Sequence, residues 1–350
     1  MRYCSGDFPD LLDRALAAAD WSGLAQRKMV AKVKGMLRGG GVGMFVEISG
    51  GVPNERAKMR LKPGGVVQVR TTLGASGQGH ETIFAMLADE QLGIGADNIV
   101  LAPADSTGFE DGGGASASRS TQMAGLAIRQ SALGLIADLK SRAADRFGVD
   151  VASVAYADGW LSVPGTNHAM SLGDLVSNPA DEIEVEARIE SENSWPGGCH
   201  VAEVDIDPET GAVTVVNFVA VDDCGRVIHH EMAEGQVHGA LAQGFGQVLM
   251  ENGTYDPESG QLVAGSLMDY ALPRARDLPH FTSILAPSPA TCNPLGVKGV
   301  GESGTVGPLP AIMAAVRDAL APLGVRDGDI EMPVTPARVW TAIAQARARQ

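Results

Sequence analysis

Residues 201–221 read VAEVDIDPETGAVTVVNFVAV, two valine-rich runs hinged on Asp207-Pro208-Glu209-Thr210-Gly211. β-Branched side chains suit a pleated surface and this turn suits a chain that doubles back, so the stretch is a β-hairpin. Residues 154–163 repeat the arrangement around Asp158-Gly159, a strong two-residue turn signal. Residues 41–49, 56–61 and 66–72 are also β-like, the last two joined by Pro63-Gly64-Gly65, and are expected to be successive antiparallel strands. Strands that come in hairpins, and not singly between helices, indicate an α+β fold of two packed lobes, with antiparallel strand groups and helices packed on them. The polar, irregular residues 164–198 put the boundary near 180, giving lobes 1–180 and 181–350.

Helical periodicity accounts for much of the remainder. Residues 7–21 place Leu11, Leu12, Ala15, Leu16 and Ala19 on one face, with Asp7 capping ahead of Pro9. Further helices are expected after residue 81 through Ile83, Phe84, Met86 and Leu87, then at 121–146, 234–249 and 310–320. A last one is expected with Thr335 as cap and Pro336 in its first position.

A formal net charge of -15 and the lack of any Lys/Arg stripe argue against nucleic acid as a partner. Apolar runs are broken by charge or glycine before the roughly 18 residues a membrane helix requires, and residues 1–20 carry acids. The expectation is a cytoplasmic chain with no membrane span. Cys4, Cys199, Cys224 and Cys292 form no C-x-x-C pair, so buried reduced thiols are expected in place of a zinc site, a disulfide framework or an iron-sulfur cluster. His229, His230 and His238 lack metal-ligand spacing, since adjacent histidines in a strand point to opposite faces.

Three glycine loops each open onto a helix, where small residues admit a ligand close to backbone and free N–H groups favour negative charge. The first is Gly77-Gln78-Gly79-His80-Glu81, whose Gln78 amide offers donors and an acceptor suited to a heteroatom-rich ligand such as a pterin. In the second, residues 112–120, Ser116, Ser118, Ser120 and the Arg119 guanidinium suit phosphate oxygens. No lysine follows as in a P-loop. The third, residues 296–304, holds the single carboxylate of Glu302 among small residues, where poor solvation would raise its pKa toward that of a useful base. Read alone, each loop is equally a tight turn. Gly299, Gly301 and Gly304 also match G-x-G-x-x-G, which keeps a nicotinamide or flavin oxidoreductase open as an alternative. The nucleophile-elbow pattern around Ser303 fails because Thr305 stands in its last glycine place.

Taken in order, Ser5-Gly6-Asp7-Phe8, Gly77-Gln78-Gly79-His80-Glu81, Ser118-Arg119-Ser120, Glu234-Gly235-Gln236-Val237-His238-Gly239 and Pro294 to Glu302 resemble the large subunit of the molybdenum hydroxylases, the xanthine dehydrogenase, aldehyde oxidase and carbon monoxide dehydrogenase family. The resemblance spans essentially the whole chain and corresponds to the carboxyl-terminal half of that subunit. It implies a molybdopterin cofactor, in the cytosine dinucleotide form, held by Gly77, Gln78, Gly79, His80, Ala115, Ser116, Ser118, Arg119, Ser120, Lys298, Gly299 and Gly301. The metal takes no direct side-chain ligand. Glu302 is implied as general base in hydroxylation of a carbon centre of a small-molecule substrate, with water as the oxygen source. The implied partners are a small iron-sulfur subunit, a medium FAD subunit and a separate amino-terminal half; without that half the chain would be an inactive cofactor-binding fragment. The sequence departs from the family at Ala115 and Ala117, where Thr and Gly are usual, so that the Ala117 methyl crowds the loop, and at His229-His230, where Asn-Pro is usual.

Overall fold

Asp7 accepts a hydrogen bond from the Asp10 amide at 3.2 Å and opens α1 (Phe8–Ala18), which buries Leu11 and Ala15 as its spacing requires. In the computed structural model, which describes residues 3–349 except 104, 106 and 110, a second helix follows, α2 (Leu24–Val33). No core-facing period marks α2 in the sequence, because Met29, Val30 and Val33 are exposed. The strand β1 (Leu37–Val46) comes next.

The chain then builds a first sheet from β2 (Asn54–Leu61), β3 (Val67–Thr71), β4 (Ile99–Leu101) and β8 (Ile183–Glu190), in the order β4-β3-β2-β8. Alternate residues of β2, from Glu55 through Ala57 and Met59 to Leu61, are buried and face the helices α3 (His80–Leu92) and α4 (Ser120–Phe147). Phe84, Ile128 and Leu135 complete that core. A small sheet of β5 (Ala155–Ala157), β6 (Trp160–Ser162) and β7 (Ala169–Ser171) precedes the short α5 (Leu172–Leu175). The expected two-residue turn joins β5 to β6, with Asp158 at φ +47° and Gly159 at φ +78°. Of the expected loop 105–120, residues 106 and 110 lie outside the described residues.

A second sheet has the order β1-β9-β10-β11, from β9 (Gly197–Ile206), β10 (Val213–Asp223) and β11 (Phe281–Leu285). β9 and β10 are the hairpin about Asp207, while β11 runs parallel to β10. β1 pairs along its whole length with β9, so it is not the antiparallel neighbour of β2 that its sequence position suggests. Strand partnership also crosses residue 180 in both directions, since β1 joins β9 and β8 joins β2. The helix α6 (His230–Leu249) starts four residues earlier than expected, with His229 as its cap and His230 in its first turn, so these histidines do not lie in a strand. The short α7 (Ser303–Val306) leads into α8 (Pro308–Leu320), and α9 (Pro336–Ala348) ends the fold. Thr335 precedes α9 without a side-chain capping bond.

The helical run Ser303–Leu323 is long and apolar enough to cross a membrane by length and composition, a feature absent from the sequence reading, but half of it is buried within the molecule. Its packing is unusual. Gly39, Gly41 and Gly43 stand on one face of β1, and α8 lies directly on them with Ala311, Ala315 and Ala319. A Cβ at Gly39 would fall 2.0 Å from the Ala315 carbonyl oxygen, and one at Gly41 would fall 2.2 Å from that of Ala311. Strand backbone and helix backbone touch. Gly41→Ala is therefore expected to push α8 off the sheet and cost about 1–3 kcal/mol, read from denaturant unfolding. An unchanged midpoint would show that α8 slides to accommodate the methyl group.

Candidate functional site

Gly77 and Gly79, at φ +95° and +82°, carry the first loop through left-handed backbone into α3. The Gln78 amide folds back onto its own loop, its oxygen accepting from the Ser76 amide at 2.5 Å and its nitrogen donating to the Gly74 carbonyl at 3.1 Å. His80 is buried and stacked on Phe84 with ring centroids 4.6 Å apart. Burial lowers its pKa, and its Nδ1 has no hydrogen-bond partner.

The serine loop ends in strained backbone, Ala117 at φ +47° and Ser118 at φ +50°. Ala115 and Ser116 are exposed, while Ser120 is the first residue of α4, which, like α3, starts without a side-chain cap. Arg119 departs from its expected role. Its side chain is fully buried, bound to Glu55 at 2.9 Å and to the carbonyls of Gly114, Val52 and Asn54. A guanidinium so enclosed braces the loop from behind and is not presented to a phosphate.

Lys298 requires the same correction. Its ammonium is buried and bound to Asp223 at 2.6 Å, and its amide donates to the Cys224 carbonyl at 2.8 Å. These contacts, with the Arg226 amide donating to Gly296 at 2.7 Å, pin the glutamate loop to the end of β10. Gly299 then lets it pass against the serine loop, since a Cβ there would lie 2.5 Å from that of Ser118. The two loops join through side chains as well. Ser118 Oγ donates to Glu302 Oε2 at 2.8 Å and accepts from the Glu302 amide at 3.0 Å, across 184 residues of sequence.

Glu302 is exposed and not, as expected, poorly solvated; the half-buried carboxyl, with its Oε2 enclosed, belongs to Glu47, just beyond β1. Glu47 Oε1 lies 3.3 Å from the same Ser118 hydroxyl, and burial together with the neighbouring Glu302 pushes its pKa up to about 8. Nothing in the sequence singled it out. A recess beside these loops is lined by Gln78, Thr121, Cys224, Arg226, Gln236 and Val300, so three of the five motif segments border one space. Cys224 is buried there and its thiol is pushed up to about 12, which leaves it protonated and unreactive. No strand directly precedes the G-x-G-x-x-G run, only the bridge between Gly225 and Val297, and Gly304 lies in α7. The run therefore lacks the strand-to-helix setting of a dinucleotide fold. Open space at Gly77, uncapped starts to α3 and α4 and the unpartnered His80 nitrogen suit a large, heteroatom-rich anionic ligand.

Residues 14–279 match the family model of the molybdopterin cofactor-binding domain. The chain is 31% identical to the 6-hydroxypseudooxynicotine dehydrogenase complex subunit gamma of Paenarthrobacter nicotinovorans, over 97% of this chain and 44% of that protein. It is 30% identical to the carbon monoxide dehydrogenase large chain of Hydrogenophaga pseudoflava, over 98% of this chain and 45% of that one. Among solved structures, quinoline 2-oxidoreductase from Pseudomonas putida 86 superposes with a TM-score of 0.85 at 32% identity, covering 97% of this chain and 46% of that one. The chain thus spans less than half the length of the relatives it matches.

Two substitutions separate bracing from strain. Arg119→Ala leaves Glu55 buried and unpaired and is expected to cost about 3–5 kcal/mol. Ala117→Gly relieves left-handed backbone and is expected to add roughly 0.5–1 kcal/mol. Both are read from the urea midpoint, and a destabilised Ala117→Gly would mean that the methyl group packs favourably.

Proposed function

The chain belongs to the molybdopterin cofactor-binding domain family, and on that premise we propose that it forms the carboxyl-terminal half of the large subunit of a molybdenum hydroxylase. The observation that carries this reading is the Ser118–Glu302 contact, which joins the serine loop to the only carboxylate of the glutamate loop. When bound, the cofactor would supply a metal that accepts two electrons and acidifies water. Glu302 takes up the proton as general base, and Ser118 holds its Oε2 in place. Gly77, Gln78, Gly79, His80, Ala115, Ser116, Ser118, Ser120, Gly299 and Gly301 border the cofactor, with Arg119 and Lys298 as braces behind them.

The cytosine dinucleotide form of the cofactor, a cytoplasmic location and the iron-sulfur and FAD subunits that carry electrons onward belong to the same proposal. The part of the relatives' length that this chain does not span completes the site. Its counterpart on this chain is the segment 252–274, where Tyr255, Val263, Leu267 and Met268 are exposed.

Co-expression with neighbouring gene products, followed by mass spectrometry for molybdenum and released cytosine nucleotide, tests the reading. Both are expected in the assembled complex, and Glu302→Gln should retain both while losing turnover by about 10²–10⁴-fold. Absence of both from every combination would sink the catalytic proposal, and a bound nicotinamide or flavin would favour the alternative oxidoreductase.

A further inference from the structure

One hydroxyl proton serves two carboxyl groups at Ser118. Its oxygen accepts from the Glu302 amide at 3.0 Å, and it lies 2.8 Å from Glu302 Oε2 and 3.3 Å from Glu47 Oε1. A serine O–H donates fully to only one of these oxygens, and the shorter contact assigns it to Glu302, leaving Glu47 without a full donor. Glu47 is the half-buried member of the pair, Glu302 the exposed one. Glu47 Oε2 is enclosed without a hydrogen-bond partner, and the neighbouring Glu302 carboxyl raises the pKa of the Glu47 carboxyl.

We propose that Glu47 and Glu302 form a carboxyl dyad that shares one proton, with Glu47 holding it and thereby orienting Glu302. The groups facing Glu47 favour this division. Glu302 approaches from the glutamate loop, Ser118 from the serine loop, and Asp222 from β10, itself bound to His200 of β9 at 3.0 Å. The charges of Glu302 and Asp222 that act on Glu47 are negative, so its ionisation is opposed by burial and by both neighbours. Donation from Glu47 to Glu302 relieves the repulsion and fixes the direction in which the Glu302 carboxylate points. Glu47 is thus a positioning residue, and the sequence places it one residue beyond the strand that receives α8. The catalytic meaning of the dyad rests on Glu302 being the base; its existence does not.

The dyad makes a signed prediction in the chain itself, without cofactor. Between the ordinary carboxyl value of 4.5 and about 8 the folded chain keeps a proton that the unfolded chain has released. Stability therefore falls as pH rises through that window. Glu47→Gln, a neutral isostere of the protonated acid, should flatten this loss. If Glu47→Gln does not fold, Glu302→Gln gives the same information from an exposed position. Removal of the neighbouring carboxylate should then move the Glu47 titration down by about one pH unit or more, as for coupled groups.

The direct readout is infrared difference spectroscopy with labelled glutamate, following the protonated carboxyl band against pH. Expected is a band at pH 7 with a midpoint near 8 in the native chain, shifted down in Glu302→Gln. A missing band at pH 7, or a midpoint indifferent to Glu302→Gln, overturns the dyad. Loss of activity in assembled Glu302→Gln enzyme without such coupling would leave the base assignment standing and remove only the shared proton.

Discussion

No side chain separates α8 from β1, and the position of the glutamate loop follows from that contact. Backbone against backbone leaves little freedom, because a helix resting on bare glycine cannot rise without losing dispersion contacts along its length. α7 and α8 follow directly from the loop that carries Glu302, and Glu47 lies just past the other end of the same strand face. One packing decision thus fixes two carboxyl groups that are 255 positions apart in the sequence (302 − 47).

Around this contact, buried charge is used for bracing. Arg119 with Glu55 and Lys298 with Asp223 are two enclosed ion pairs, one in the serine loop and one in the glutamate loop. Such pairs are poor sources of net stability, since desolvation offsets their attraction, but breaking one leaves an uncompensated charge in the interior. They therefore punish any alternative path for the loops. The strain at Ala117 and Ser118 is tolerated in the same setting, held on one side by Arg119 and on the other by the Ser49 hydroxyl, which donates to the Ser118 carbonyl at 2.9 Å.

Local signals in the sequence were legible where local chemistry decides the structure. Asp7 capped its helix, Asp158-Gly159 made its turn, and the order of the loop motifs identified the family. Partnership between distant strands was not legible, because residues 41–49 read as a strand without showing that β9 pairs with it or that the alanine face of α8 lies on its glycines. The same reason explains the errors at the site. Arg119 looks like an anion ligand in a one-dimensional motif, and only its burial, like that of Lys298, shows that a protein carboxylate already occupies it. Glu47 carried no motif, and its chemistry comes from two neighbours supplied by other parts of the chain.

The pairing of β1 with β9 and its cover by α8 also set the order in which the molecule can assemble. During synthesis β1 precedes both of its partners, glycine-rich and with little propensity of its own, and its partner strand follows some 150 residues later. Its helix comes after a further 100. Contacts this far apart in sequence make folding slow. Until α8 is in place, the neighbourhood of Glu302 does not exist.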